Sequence, residues 1–266
     1  MKSRYVILTR FNLQYKESTQ NLSIEWLEER IQLFQTYTLP SIKAQKNQNF
    51  EWLILIDART PDSIYQRLQQ IATSYRAIQL VQVNACGDEA LMEYYRQMAH
   101  QLGAGYDLLI STRLDSDDCL AEDFTDAITK NITLQTAPYA ISFPIGLQYF
   151  SQRKWNFRIT YPSNHFLTIF EPGDAAQSAL SYDHTRMSNY MPLIMTQETQ
   201  PMWTEIVHGG NIANNYSPTY KPKMEPCSLK NVGGLITLHL RYRIGQVIKV
   251  LSHPKKVIDR IFSPRT

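Results

Sequence analysis

Nowhere in the sequence do apolar side chains run for the ~20 positions that a membrane-spanning helix needs. The opening segment MKSRYVILTRF carries only a short apolar run, so no secretory leader is expected. Cysteine is scarce. Cys86, Cys119 and Cys227 follow no regular spacing, which excludes a disulfide framework and a cysteine-based zinc site. Such usage points to a reducing compartment, and the expected location is the cytoplasm. Charge of one sign is missing too: 27 Lys and Arg against 24 Asp and Glu leave +3. From His239 to Thr266 only Asp259 opposes Arg241, Arg243, Lys249, Lys255, Lys256, Arg260 and Arg265, so the basic excess belongs to a tail. A nucleic-acid enzyme would carry a basic face throughout, and no such partner is expected. There is no internal repeat and no low-complexity tract.

What is there alternates. Tyr5–Leu8 reads as a buried strand, followed by a polar loop over Asn12–Asn21. Leu27, Ile31, Phe34 and Thr38 then fall on one helix face, and Pro40 ends or restarts that helix. Trp52–Ile56 is a second strand ending at Asp57. Thr60-Pro61 opens a helix with Ile64, Leu68 and Ile71 as its stripe. Ile78–Val83 is a third strand. Asp88 can cap a helix bearing Leu91, Tyr95, Met98 and Leu102, which Gly103 and Gly105 stop. Leu108–Thr112 is a fourth strand running into Arg113-Leu114-Asp115-Ser116-Asp117-Asp118, and a helix with Phe124, Ile128 and Ile132 follows. This order predicts a doubly wound, mainly parallel α/β sheet, whose ligands bind at the carboxyl ends of the strands. Thr9, Arg10, Asp57 and the aspartate cluster all lie at such ends.

The second half is less regular. Tyr139–Phe143, Gly146–Phe150, Trp155–Thr160 and Phe166–Phe170 read as strands, and Pro172–Met202 as a stretch with mobile loop. Leu235 to Phe262 reads as a basic amphipathic helix or helix pair. The expected division is a domain over 1–235, with a nucleotide half over 1–120 and an acceptor half over 121–235, and a helical extension over 236–266.

Asp115-Ser116-Asp117 is an Asp-x-Asp at the tip of a strand. In extended geometry the two carboxylates share a side, and a divalent cation relieves their repulsion. Oxygen ligands favour Mn²⁺ or Mg²⁺, which in turn suits a departing diphosphate. One of these aspartates can instead cap the helix near Ala121, but three exceed what a cap needs. A calcium loop is excluded, because Leu120 stands where an EF-hand needs glycine.

The segments TRLDSDD at Thr112–Asp118 and VHGGN at Val207–Asn211 resemble a bacterial family called "putative rhamnosyltransferase", itself similar to inverting glycosyltransferases of the GT-A fold. Arg10–Asn12, Leu39–Gln45 and Asn49–Asp57 are similar to it as well. The resemblance covers roughly the first two-thirds of the chain and then the His208 region, but not clearly the tail. It implies a GT-A-like fold, a nucleotide-sugar donor and a metal held by the aspartates. On that analogy Asp117 is the direct metal ligand, and Asp115 meets the metal through water or meets the donor ribose. Asp57 faces base or ribose, and Thr9 and Arg10 line the nucleotide pocket. His208 completes the metal shell, its alternative being a hydrogen-bonded turn. Arg113 meets phosphate, or merely orients Asp115. Trp203 and Asn211 then stand near donor or acceptor, although a lone Trp is more often core.

An inverting transfer needs a general base, and Asp183 or Glu205 is the expected one; Asp174 also lies in the expected acceptor loop, and His184 could contact phosphate. The tail either lies on an anionic membrane surface, which suits a lipid-linked or glycan acceptor, or packs on the domain. Two rivals remain: a carbohydrate- or nucleotide-binding protein without catalysis, and a nucleotidyltransferase, which the glycine-free loop TRFNLQYKES disfavours.

Overall fold

The structure is a computed structural model that describes residues 1–15, 22–132 and 137–208, and the backbone of 225–226. Two compact units make up the chain: Met1–Gly146 with Tyr161–Glu205, and Leu147–Thr160 with Ile206–Thr266.

The first unit is built on a seven-stranded sheet. Its parallel half comprises β1 (Ser3–Arg10), β2 (Glu51–Asp57), β3 (Ile78–Val83) and β4 (Leu108–Arg113), in the spatial order β3-β2-β1-β4. With β5 (Cys119–Leu120), β6 (Tyr139–Ser142), β7 (Ile145–Phe150) and β8 (Trp155–Thr160) in between, β9 (Thr168–Pro172) joins β4 antiparallel. It also joins β6, which pairs in parallel with β10 (Leu193–Met195). The sheet is thus mixed, with the expected parallel core.

Both faces are covered, which is why its strands read as continuous apolar runs. On one face Val6, Leu8, Leu53, Leu55 and Leu109 share a core with Leu91, Tyr95, Met98 and Leu102 of α4 (Asp88–Gly103). The cap of α4 is Gly87, at φ +86°, with Asp88 in the first turn rather than capping. On the other face Trp52 packs on Phe34 at 5.3 Å between ring centroids. Phe34 opens a π-helical turn, Phe34–Thr38, inserted between α1 (Ile24–Leu33) and α2 (Leu39–Lys43). Pro40 therefore sits in the first turn of α2 within one continuous helical rod. Leu27, Ile31, Phe34 and Thr38 are all fully buried. The next helix, α3 (Asp62–Thr73), buries Ile64, Leu68 and Ile71, and α5 (Phe124–Lys130) buries Phe124 and Ile128.

Residues 173–202 contain short 3-10 helices at Gly173–Ala175 and His184–Asn189, and from this stretch Ala179, Met187 and Met191 join a core with Ala140, Leu167 and Ile169. The first unit also holds an antiparallel contact in which Trp203 and Thr204 of β11 (Trp203–Val207) pair with Leu120 and Cys119. In the second unit, β12 (Glu225–Pro226) pairs antiparallel with Arg158 and Phe157 of β8. Among the described residues no helix is long and apolar enough to cross a membrane. The basic tail lies outside the described residues.

Candidate functional site

The chain runs β1, β2, β3 outward in one direction and then returns through α4 to place β4 on the far side of β1. The carboxyl ends of β1 and β4 are therefore a topological switch point, where the crossovers diverge and leave a crevice. Each of these strands ends in an arginine, and both arginines reach one carboxylate. Arg10 Nη2 is 3.0 Å from Asp115 Oδ1, and Arg113 Nη2 is 3.2 Å from Asp115 Oδ2. Burial would raise the Asp115 pKa, but Arg113, Arg10 and His165 outweigh it and hold the carboxyl well below the usual carboxylate range. Arg10 also donates to the Tyr15 hydroxyl at 2.7 Å, which in turn bonds that of Tyr95. Arg113 Nε is buried and has no hydrogen-bond partner.

The strand stops at Arg113, and residues after it turn. Asp118 N donates to Asp115 O at 3.2 Å, so residues i and i+3 meet where extended geometry would have paired i with i+2. Asp115, Asp118 and His165 bring their ligand atoms within 4.8 Å of one another. His165 Nε2 lies 2.9 Å from Asp118 Oδ2. Burial lowers the His165 pKa from its ordinary value, against the pull of Asp115 and Glu205. Its loop is fixed by Asn164, which donates to Ser142 Oγ, Phe143 O and Tyr161 O. His184 approaches His165 edge-on at 6.1 Å, and burial brings its pKa down to about 4. Asp117 turns the other way: its Oδ2 is 2.8 Å from Arg30 Nη1, and the Arg30 guanidinium lies 4.7 Å from the Trp26 ring centroid.

Residues 10–220 match the family described as "Putative rhamnosyl transferase". The chain belongs to that family. It is therefore a glycosyltransferase by family. No curated protein matches the sequence. Among solved structures the chain is similar to S. aureus TarS 1–349, at 11% identity and a TM-score of 0.43, over 77% of this chain and 60% of that one. The same protein with UDP-GlcNAc gives 12% identity and a TM-score of 0.41, over 78% and 60%. Mannosyltransferase PcManGT from Pyrobaculum calidifontis, in complex with GDP-Man and Mn²⁺, gives 18% identity and a TM-score of 0.32, over 53% and 35%. The chain thus spans about three-fifths of the TarS structures it matches.

The other residues singled out in this glycosyltransferase sequence sort differently. Thr9 is fully buried, and its hydroxyl accepts from Trp52 Nε1 at 2.9 Å, so it lines the core and no nucleotide pocket. Trp203 is also core: it stacks on Phe166 at 4.7 Å and donates to Phe143 O at 2.8 Å, which leaves no face for a sugar. Asp57 lies at the tip of β2 as expected, but Arg59 occupies its carboxylate. Glu205 on β11 is buried and close enough to His165 to favour its protonated form. Asp183 caps the 3-10 helix, accepting from Thr185 N and Oγ1, and these bonds hold its pKa below the usual value. Asp174 is exposed on the short helix Gly173–Ala175. His208 belongs to the second unit, where its carbonyl accepts from Gln152 Nε2; the imidazole gathered with the aspartates in the first unit is His165. Asn211 lies outside the described residues. Reading the sequence missed His165, Arg30 and Arg59. Each stands alone in its segment, and only Asp118, in the run of aspartates, carried any signal.

Proposed function

We propose that this protein transfers a sugar from a nucleoside-diphosphate donor to a hydroxyl of a glycan or lipid-linked acceptor, with inversion at the sugar carbon. The family's description points to rhamnose as that sugar. One observation carries the reading: two arginines from adjacent strand tips converge at a switch point, and one of them holds a buried, unpartnered N–H. Arg10 and Arg113 meet the diphosphate and offset its charge as it leaves. Two carboxylates and an imidazole are a donor set that fits Mn²⁺ well and Mg²⁺ less well. Asp115, Asp118 and His165 would hold such an ion, and when bound it would supply further charge for the departing diphosphate.

The acceptor hydroxyl loses its proton to Glu205 as its oxygen bonds the sugar carbon and the carbon–oxygen bond to the diphosphate breaks. Glu205 is preferred over Asp183, whose bonds to Thr185 make it the weaker base. The reaction is placed in the cytoplasm, on the cysteine usage alone. Donor hydrolysis and thermal shift with a panel of nucleoside-diphosphate sugars and Mn²⁺ test the reading. Asp115→Asn should cut donor turnover by about 100-fold or more with the fold retained. Full turnover in that variant, or no shift with any donor, would leave a non-catalytic binding protein as the better description.

A further inference from the structure

The tip of β2 is where the sequence points to a carboxylate that reads the nucleotide, yet that carboxylate is spoken for. Asp57 is 2% exposed on its side chain, and Arg59 grips it with a fork: Nε to Oδ1 at 2.9 Å and Nη2 to Oδ2 at 2.7 Å. The Arg59 backbone N–H adds a third bond to Oδ1 at 2.8 Å. The turn beneath is pinned. Thr60 N and Oγ1 both donate to Asp57 O, Asn12 Nδ2 donates to Thr60 Oγ1, and Asn12 Oδ1 accepts from Asp57 N. Ala58 N is tied to Val83 O at the tip of β3. In contrast, the Arg59 side chain is 50% exposed. A buried carboxylate thus holds an open guanidinium flat, one strand away from Arg10 and two from Arg113.

The sheet order sets the direction. Arg10 is in register with Leu55, so Asp57 lies two residues further along the neighbouring strand. With strands about 4.8 Å apart, the tips of β2 and β3 are within reach of the nucleoside of a diphosphate held at the tips of β4 and β1. A fixed guanidinium plane is a stacking surface for a heterocycle and supplies donors along its edge. We propose that Arg59, rather than Asp57, is the residue that contacts the donor's nucleobase, and that Asp57 is a positioning residue that orients it. This rests on the nucleotide reading of the Arg10–Arg113 site.

The test is isothermal titration of the wild-type chain, Arg59→Ala, Arg59→Lys and Asp57→Asn with two kinds of probe, each with Mn²⁺ present. One is inorganic pyrophosphate, and the other is a panel of uridine, thymidine, guanosine and adenosine diphosphates. The expected result is that Arg59→Ala weakens the preferred nucleoside diphosphate by about tenfold or more and leaves pyrophosphate unchanged. Lysine should not rescue, because it is a point charge without a plane. Asp57→Asn should weaken the nucleotide less than Arg59→Ala does. If Arg59→Ala leaves nucleotide affinity intact, or if Asp57→Asn costs more than Arg59→Ala, the inference fails while the site reading stands. If wild-type protein binds neither pyrophosphate nor any nucleotide, both fail together. The pyrophosphate arm also separates these outcomes from misfolding, since an unfolded variant would lose both probes.

Discussion

Replacing Arg30 with methionine would delete one charge from a buried pair while keeping an unbranched chain against Trp26. The Arg30 and Asp117 side chains are 9% and 10% exposed, and their N–O distance is 2.8 Å. Were the pair on the surface, its loss would cost at most about 1 kcal/mol. At this burial the variant leaves a carboxylate in the interior without its guanidinium, and such changes cost about 3–5 kcal/mol. With a urea dependence of about 3 kcal/mol per molar for a chain of this size, the unfolding midpoint should fall by roughly 1–1.7 M. The double variant Arg30→Met/Asp117→Leu removes both charges, so it should recover most of that loss. Urea denaturation followed by circular dichroism and tryptophan fluorescence measures the wild type, Arg30→Met, Asp117→Leu and the double variant. A single-variant cost below about 1 kcal/mol, or a double variant as unstable as the sum of the two singles, would refute the reasoning.

Trp203→Ala should lower stability by about 3–5 kcal/mol and leave nucleotide affinity unchanged in titration calorimetry, because the ring fills core against Phe166 and Gly146 and faces no cleft. Asp115 gives a pH prediction. Its folded pKa is depressed, so its contribution to stability is complete above the unfolded carboxyl value of about 3.9 and is lost as the pH falls below it. Melting temperatures between pH 2.5 and 6 should therefore fall more steeply in the wild type than in Asp115→Asn at the acid end. Parallel curves for the two proteins would count against the double arginine pairing.

Much of the first unit was legible because its sheet is covered on both sides and its helices are amphipathic. Ile78–Val83 forms a strand over the expected residues, and the stripe Leu91, Tyr95, Met98, Leu102 is the buried face of α4. The same double coverage hid which residues face the crevice. In a strand buried on both faces, alternation cannot separate a cleft residue from a core residue, so Thr9 read as a ligand contact when it serves Trp52. The aspartate run suggested that Asp115 and Asp117 share a side, whereas in the fold Asp118 comes beside Asp115 and Asp117 pairs with Arg30. Strand geometry was carried past Arg113, where a turn begins and brings Asp118 beside Asp115. Residues 173–202 had no readable period because 3-10 turns and side-chain caps leave none, although Met187 and Met191 are core. His165 and Arg30 come from distant segments, and only the folded chain brings them to the aspartates.

The π-helical turn at Phe34–Thr38 sets the phase of the rod on either side of it. Upstream, Arg30 reaches Asp117. Downstream, Ser41 Oγ accepts from Leu120 N, and Gln45 bonds both Ala121 O and Thr125 N. One rod thus grips the segment after β4 at both ends, like a key with two teeth cut at a fixed angle. Removing a single residue between Phe34 and Thr38 would rotate everything after it by about 100°, and Gln45 would swing away from its two backbone partners. The extra residue in that turn is what lets a helix on one face of the sheet hold a loop at its rim.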